Sequence, residues 1–153
     1  MKHFIIDGNN LIGKIKSLQR LHNKDKQQSR VKLALLIDNY FQRKNAKVTI
    51  HFDGYEQETI KLVNCNITYS QNHTADEKIK QQIESSSNTK NIIVITSDNN
   101  LWEFAQVCSC SAEKSEDFVK QLNKKNNDDE ADRINKLSND LNEFKKLFGV
   151  GEN

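Results

Sequence analysis

The chain has 153 residues, 35% of them hydrophobic and 29% charged, with a net charge of +2, no proline and three cysteines. That length suits one domain with a modest core, and compact Leu, Ile and Val runs exclude global disorder. No apolar run approaches the ~18 residues of a membrane span, and with a strand beginning within two residues and no secretory h-region there, no leader is expected. Cys65, Cys108 and Cys110 are odd in number and lack zinc-type spacing, so reduced thiols and a cytoplasmic location are expected.

Lys2–Ile6 reads as a buried strand that stops on Asp7, followed by Gly8 and the amides Asn9 and Asn10. Leu11 to about Leu21 is a helical or irregular segment, and His22–Gln28 is a polar break. Ser29 is the expected N-cap of a helix to about Arg43, whose apolar residues nearly encircle it. Lys47–Phe52 alternates as a second strand, with Asp53-Gly54 as the turn beyond it. Thr59–Val63 and Asn66–Tyr69 fit either two short strands or one irregular excursion. Thr74-Ala75-Asp76-Glu77 matches a capping box and opens a helix to about Glu84. Asn91–Thr96 holds four uninterrupted branched apolar residues, Ile92 to Ile95, as central parallel strands do. Ser97-Asp98-Asn99-Asn100 opens a helix through Val107; Cys108–Ser111 is a short edge strand, and Ser115–Leu122 a further helix.

Asn123–Asn127 reads as a polar hinge. Beyond it, Ile134, Leu137, Leu141, Phe144 and Phe148 make one apolar stripe on an amphipathic helix from about Asp128 to Phe148, stopped by Gly149. The expected division is a domain over 1–122 and a hinge with a C-terminal helix over 123–153. That helix either docks on the body or self-associates as a homodimer.

Alternating strands and helices imply an α/β fold, a mainly parallel sheet with helices on both faces. Asp7, Asp53 and Asp98 then lie just beyond strand ends on one sheet edge, and Asp76 can face the same crevice from a helix start. Each has a bland reading as well: Asp76 and Asp98 suit helix N-termini, and Asp53-Gly54 is an ordinary turn. Two like charges 5 Å apart repel by roughly 3 kcal/mol at an effective dielectric of 20. Four acids in one crevice therefore need raised pKa values or a divalent cation. Oxygen-only donors favour Mg²⁺ or Mn²⁺ over Zn²⁺, and phosphodiester hydrolysis is the matching chemistry. Between residues 14 and 47, ten Lys/Arg stand against two acids, a local net charge of +8, whereas from Glu113 onward the balance is −2. A basic flank carried by Lys14, Lys16, Arg20, Arg43 and Lys44 suits a polyanion, although solvated helix faces carry the same charge.

Four motifs now stand in order: Ile-Ile-Asp-Gly-Asn-Asn-Leu-Ile (5–12), His-Phe-Asp-Gly (51–54), Thr-Ala-Asp-Glu (74–77) and Val-Ile-Thr-Ser-Asp (94–98). Together they resemble NYN-domain ribonucleases, especially the YacP-like branch of the PIN-like superfamily, over about residues 1–112. The resemblance implies a three-layer α/β/α PIN-like sandwich with a metal-dependent endoribonuclease site. Asp7, Asp53, Asp76 and Asp98 would be its Mg²⁺ or Mn²⁺ ligands, with Asn10, Thr74 and Ser97 in support. RNA is the implied partner, and some relatives act on ribosome-associated mRNA. Asn9 departs from the aromatic residue common in the family and is closer to flap-type nucleases, which act on DNA. A non-catalytic RNA-binding module on the same fold is the alternative from another class. The tail from Asn123 falls outside the family pattern as read from sequence.

Overall fold

The computed structural model describes residues 1–148, the last of them by its backbone alone. Five strands, β1 (Lys2–Asp7), β2 (Ala46–Phe52), β3 (Asn66–Tyr69), β4 (Ile92–Ile95) and β5 (Ser111–Glu113), form one sheet in the order β3-β2-β1-β4-β5. Every pairing is parallel, with Ile6 opposite Ile50 on one side and Ile95 on the other. The helices are α1 (Gly8–Ile12), α2 (Lys16–Lys24), α3 (Lys26–Tyr40), α4 (Ala75–Glu84), α5 (Asn99–Val107) and α6 (Ser115–Phe148).

Strand alternation divides the core into two layers. Ile6, Val48, Ile50, Phe52 and Ile95 face α1, α2, α3 and the start of α6, where Leu11, Leu33, Ile37, Phe41, Phe118 and Leu122 are buried. Ile5, Ile92 and Val94 point the other way, onto Ile79, Ile83, Leu101 and Ala105 of α4 and α5. The arrangement is the expected three-layer α/β/α sandwich. The order in which strands are added reverses at β1: β2 and β3 lie on one side of it, β4 and β5 on the other. In such sheets the crevice at the carboxyl ends of the strands flanking the reversal is where ligands bind.

Several local expectations change. The N-cap of α3 is Asp25, whose side chain accepts from the Gln28 backbone N–H. Ser29 is fully buried one turn inside, its hydroxyl donating to the Lys26 carbonyl and contacting His22 Nδ1 at 2.6 Å. The supposed break at 22–28 is thus almost wholly helical, because Asp25 alone separates α2 from α3. Nor is α3 buried all round: Leu33, Ala34 and Ile37 face inward while Leu35 is 51% exposed. Residues 59–63 form no strand; Asp38 accepts from the backbone N–H groups of Val63 and Asn64, so this segment binds a side chain rather than a ladder. The edge strand starts at Ser111 rather than Cys108, because Cys108 caps α5 and Ser109 turns the chain with φ at 67°.

Nor does the chain hinge at 123–127. α6 runs unbroken through it, in a stretch with neither glycine nor proline to interrupt the backbone ladder. Phe118 and Leu122 anchor its first turns, and Lys125 Nζ donates to the Asn39 and Tyr40 carbonyls at the C-terminus of α3. Beyond that clamp Ile134, Leu137 and Leu141 of the stripe are each more than half exposed. The side chain of Phe148 and the expected stop at Gly149 lie outside the described residues. No helix among the described residues is long and apolar enough to cross a membrane.

Candidate active site

Asp7 ends β1 at the point where the sheet reverses. The next residue has to be glycine: a Cβ on Gly8 would sit 2.6 Å from the Phe52 ring and 2.7 Å from the His51 carbonyl. This close approach lets α1 start directly at the strand end. The fully buried Thr96, just beyond β4, donates its hydroxyl to Asp7 Oδ2 at 3.1 Å and accepts the Asp98 N–H at 3.1 Å. One hydroxyl therefore links two of the expected acids. Burial pushes the Asp7 carboxyl up to about 6, and the charges of Asp53 and Asp76 add to the rise against the hydrogen bonds from Thr96 and Asn10.

Of the other acids, Asp53 and Asp98 share an oxygen with the backbone and Asp76 pairs with a lysine. Asp53 Oδ1 accepts the Ala75 N–H at 2.8 Å, which ties the end of β2 to the start of α4. Asp76 Oδ2 lies 3.1 Å from Lys80 Nζ, one turn along α4. Asp98 Oδ1 caps α5 through the Leu101 N–H at 2.9 Å. Asp7, Asp53 and Asp76 thus meet electrostatically, whereas Asp98 is tied to Asp7 through Thr96 by its backbone N–H alone, its carboxylate being turned to the α5 cap. They do not form a closed cage: among the described residues no three Asp, Glu, His or Cys side chains group closely enough to hold a metal ion unaided. Each carboxylate still has lone pairs beyond the one or two bonds it makes. The donor set fits a hard cation that keeps several waters and takes one or two carboxylates plus substrate oxygens, the habit of Mg²⁺. It does not fit an ion enclosed wholly by protein.

The three supporting residues act mainly on structure. Thr74 caps α4 by accepting the Glu77 N–H, and Glu77 turns to His73 instead of reaching back. Asn10 Oδ1 accepts from the Ser97 N–H at 3.0 Å and the Ser115 hydroxyl at 2.7 Å, joining the ends of β1 and β4 to the start of α6. Ser97 accepts the Ser115 N–H and donates to Glu116 Oε2.

The family of the chain is decided by a sequence comparison: the model of the YacP-like NYN domain matches residues 4–147. The chain belongs to that family. The match runs through α6, so the family pattern includes the tail that the motifs alone left out. Two solved structures share the NYN-domain fold. One is Rae1 (YacP) from Bacillus subtilis, 20% identical, with a TM-score of 0.74 over 97% of this chain and 88% of that one. The other is a tryptophan-to-leucine mutant of the same protein, 21% identical, with a TM-score of 0.70 over 90% and 83%. At these identities the likeness speaks for fold alone. No curated protein sequence matches the chain significantly.

Three residues at the candidate rim were not among those expected from sequence. Glu116 reaches the rim at the start of α6; hydrogen bonds from Ser97, from its own backbone and from Lys14, whose ammonium is 3.0 Å away, hold it down to about 2. Asn9 Oδ1 accepts the Asp53 N–H at 2.8 Å, so the asparagine in place of an aromatic residue braces the β2 end. Arg30, only 5% exposed, donates to the Asp53 and Tyr55 carbonyls and packs against the rings of Phe52 and Tyr69 at 5.8 and 5.4 Å. Asn9 showed in the sequence as a departure from the family's aromatic residue, and Arg30 as a cation inside an otherwise apolar helical stripe; Glu116 left no trace.

The basic residues divide. Lys14 stands at the rim through Glu116, whereas Lys16 and Arg20 lie on α2, Arg20 beside Lys24 and Lys32 on the outer flank. Arg43 and Lys44 are in the α3–β2 loop, and Lys44 lies 4.3 Å over the Tyr40 ring. Ala46 at the start of β2 pairs with Lys2, at the far end of β1 from Asp7, about 17 Å away at 3.3 Å per residue. Those two cations therefore do not flank the acids.

Proposed function

We propose that this NYN domain is a Mg²⁺- or Mn²⁺-dependent endoribonuclease acting at the rim around Asp7. Membership in the YacP-like NYN family supports a nuclease-type function. The single observation that carries the finer reading is a carboxylate at the sheet reversal whose pKa is raised by burial and by two neighbouring acids. That is an electrostatic debt a cation relieves. A bound divalent ion supplies positive charge at the scissile phosphate and lowers the pKa of the attacking water. Thr96 fixes the direction of Asp7 Oδ2, and Asp53 and Asp76 add negative field from the β2–α4 side. Lys14, which pairs with Glu116, is the rim cation best placed for a flanking phosphate. The free thiols of Cys65, Cys108 and Cys110 accord with a reducing compartment such as the cytoplasm.

The test is cleavage of labelled single-stranded RNA with Mn²⁺, with EDTA, and with Asp7→Asn. Cleavage is expected with metal, none with EDTA, and a loss of about 10²–10³-fold in the variant. Equal rates for the variant reject the site. A second reading, an RNA-binding module without chemistry, draws on the open spacing of the acids. It predicts RNA binding indifferent to EDTA and no cleavage under any condition.

A further inference from the structure

Trp102 is the single tryptophan of the chain and lies one turn into α5, its backbone N–H on the Asp98 carbonyl at 2.9 Å. Helical side chains lean toward the N-terminus, which here is the rim. Its indole is half-buried and Lys114 Nζ stands 4.1 Å over the ring. Lys114 itself follows the end of β5 and precedes Ser115, whose N–H binds Ser97. An aromatic face and a cation therefore stand on the β5 side of the Asp98 turn, two strand spacings, or about 10 Å, from β1.

We propose that Trp102 and Lys114 form a stacking subsite for an unpaired base of single-stranded RNA, with Lys114 taking the adjoining phosphate. This rests on the ribonuclease reading and adds to it the strand state of the substrate. A partly exposed cation–π contact is weaker than a base–aromatic stack. An incoming base can thus displace the ammonium from the indole, and the released ammonium gains a phosphate partner. Duplex RNA keeps its bases stacked internally and offers no face to the indole.

Trp102 fluorescence reads the contact directly, because no other tryptophan contributes. The titration uses the full chain in EDTA, with short oligouridylate, an abasic oligomer of the same backbone, and duplex RNA, while anisotropy of end-labelled RNA measures binding independently. Saturable quenching is expected from oligouridylate alone. Trp102→Ala weakens oligouridylate binding by about 5- to 150-fold, the effect of losing one stacked base. Trp102→Phe, which keeps a ring, recovers most of that loss and replaces the alanine variant should it fail to fold. Lys114→Gln keeps the quenching and lowers the salt dependence of binding by about one counterion. Oligouridylate that binds without quenching, or quenching that the abasic oligomer reproduces, overturns the stacking subsite while leaving the ribonuclease reading intact. A chain that neither binds nor cleaves RNA overturns both.

Discussion

Two polar networks cross this sheet, and they are built to opposite ends. At the rim, Asp7 is held by Thr96 among like charges, with its carboxyl raised to about 6. Beneath α4, His3 Nε2 meets Thr49 Oγ1 at 2.9 Å, Gln82 Nε2 donates to Thr49 Oγ1, and His51 Nε2 contacts Gln82 Oε1 at 2.6 Å. Burial lowers the pKa of both histidines, so that chain stays neutral. Their protonation pulls stability in opposite directions. The folded Asp7 binds its proton more tightly than the unfolded chain, so its contribution is present in acid and lost as pH climbs from about 4 to about 6. The folded histidines bind theirs less tightly, so stability falls as pH drops below the unfolded value of 6.5. A neutral network braces a fold at neutral pH; a charged one burdens it until a ligand arrives.

The comparison breaks most visibly at Asp7. Asp7→Asn is expected to lower RNA cleavage by about 10²–10³-fold yet to stabilise the metal-free chain at pH 7, by at most about 3 kcal/mol for two pKa units. Urea melts in EDTA at pH 5 and pH 7 measure the gain, which shrinks at the lower pH. Arg30→Lys comes next. A compact ammonium cannot span both the Asp53 and Tyr55 carbonyls, which costs about 1–3 kcal/mol and loosens Asp53. Thermal melts should fall and cleavage with them. Smaller is His51→Gln, which removes one acid-sensitive group; its stability should decline less than that of the parent chain between pH 6.5 and 5. Smallest is Lys44→Ala, at the opposite sheet edge, expected to change stability by less than about 0.5 kcal/mol and RNA cleavage not at all.

The frame was legible in sequence wherever burial imposes a period. The run Ile92–Ile95 and the alternation of Val48, Ile50 and Phe52 gave two of the strands that set the rim, and with them the places of Asp98 and Asp53; the apolar run before Asp7 gave the third. What did not show was side-chain commitment. Nothing local says that Asn10 spans to Ser115, 105 residues away, or that Thr96 rather than Ser97 orients Asp7. Such bonds depend on which crossovers meet, and periodicity carries no record of that. Charge misled for the same reason: Arg43 and Lys44 are near Lys14 in number but lie beyond the other end of the strands. The hinge at 123–127 was inferred from polarity, yet asparagine and lysine are tolerated in a helix that has a clamp such as Lys125.

The sheet is bounded by β3, four residues long, and β5, three residues long. Outer strands this brief expose few unmatched amide and carbonyl groups, which denies a neighbouring molecule the template for ribbon-like stacking. Copies of this chain brought close together thereby stay separate instead of zipping into aggregates.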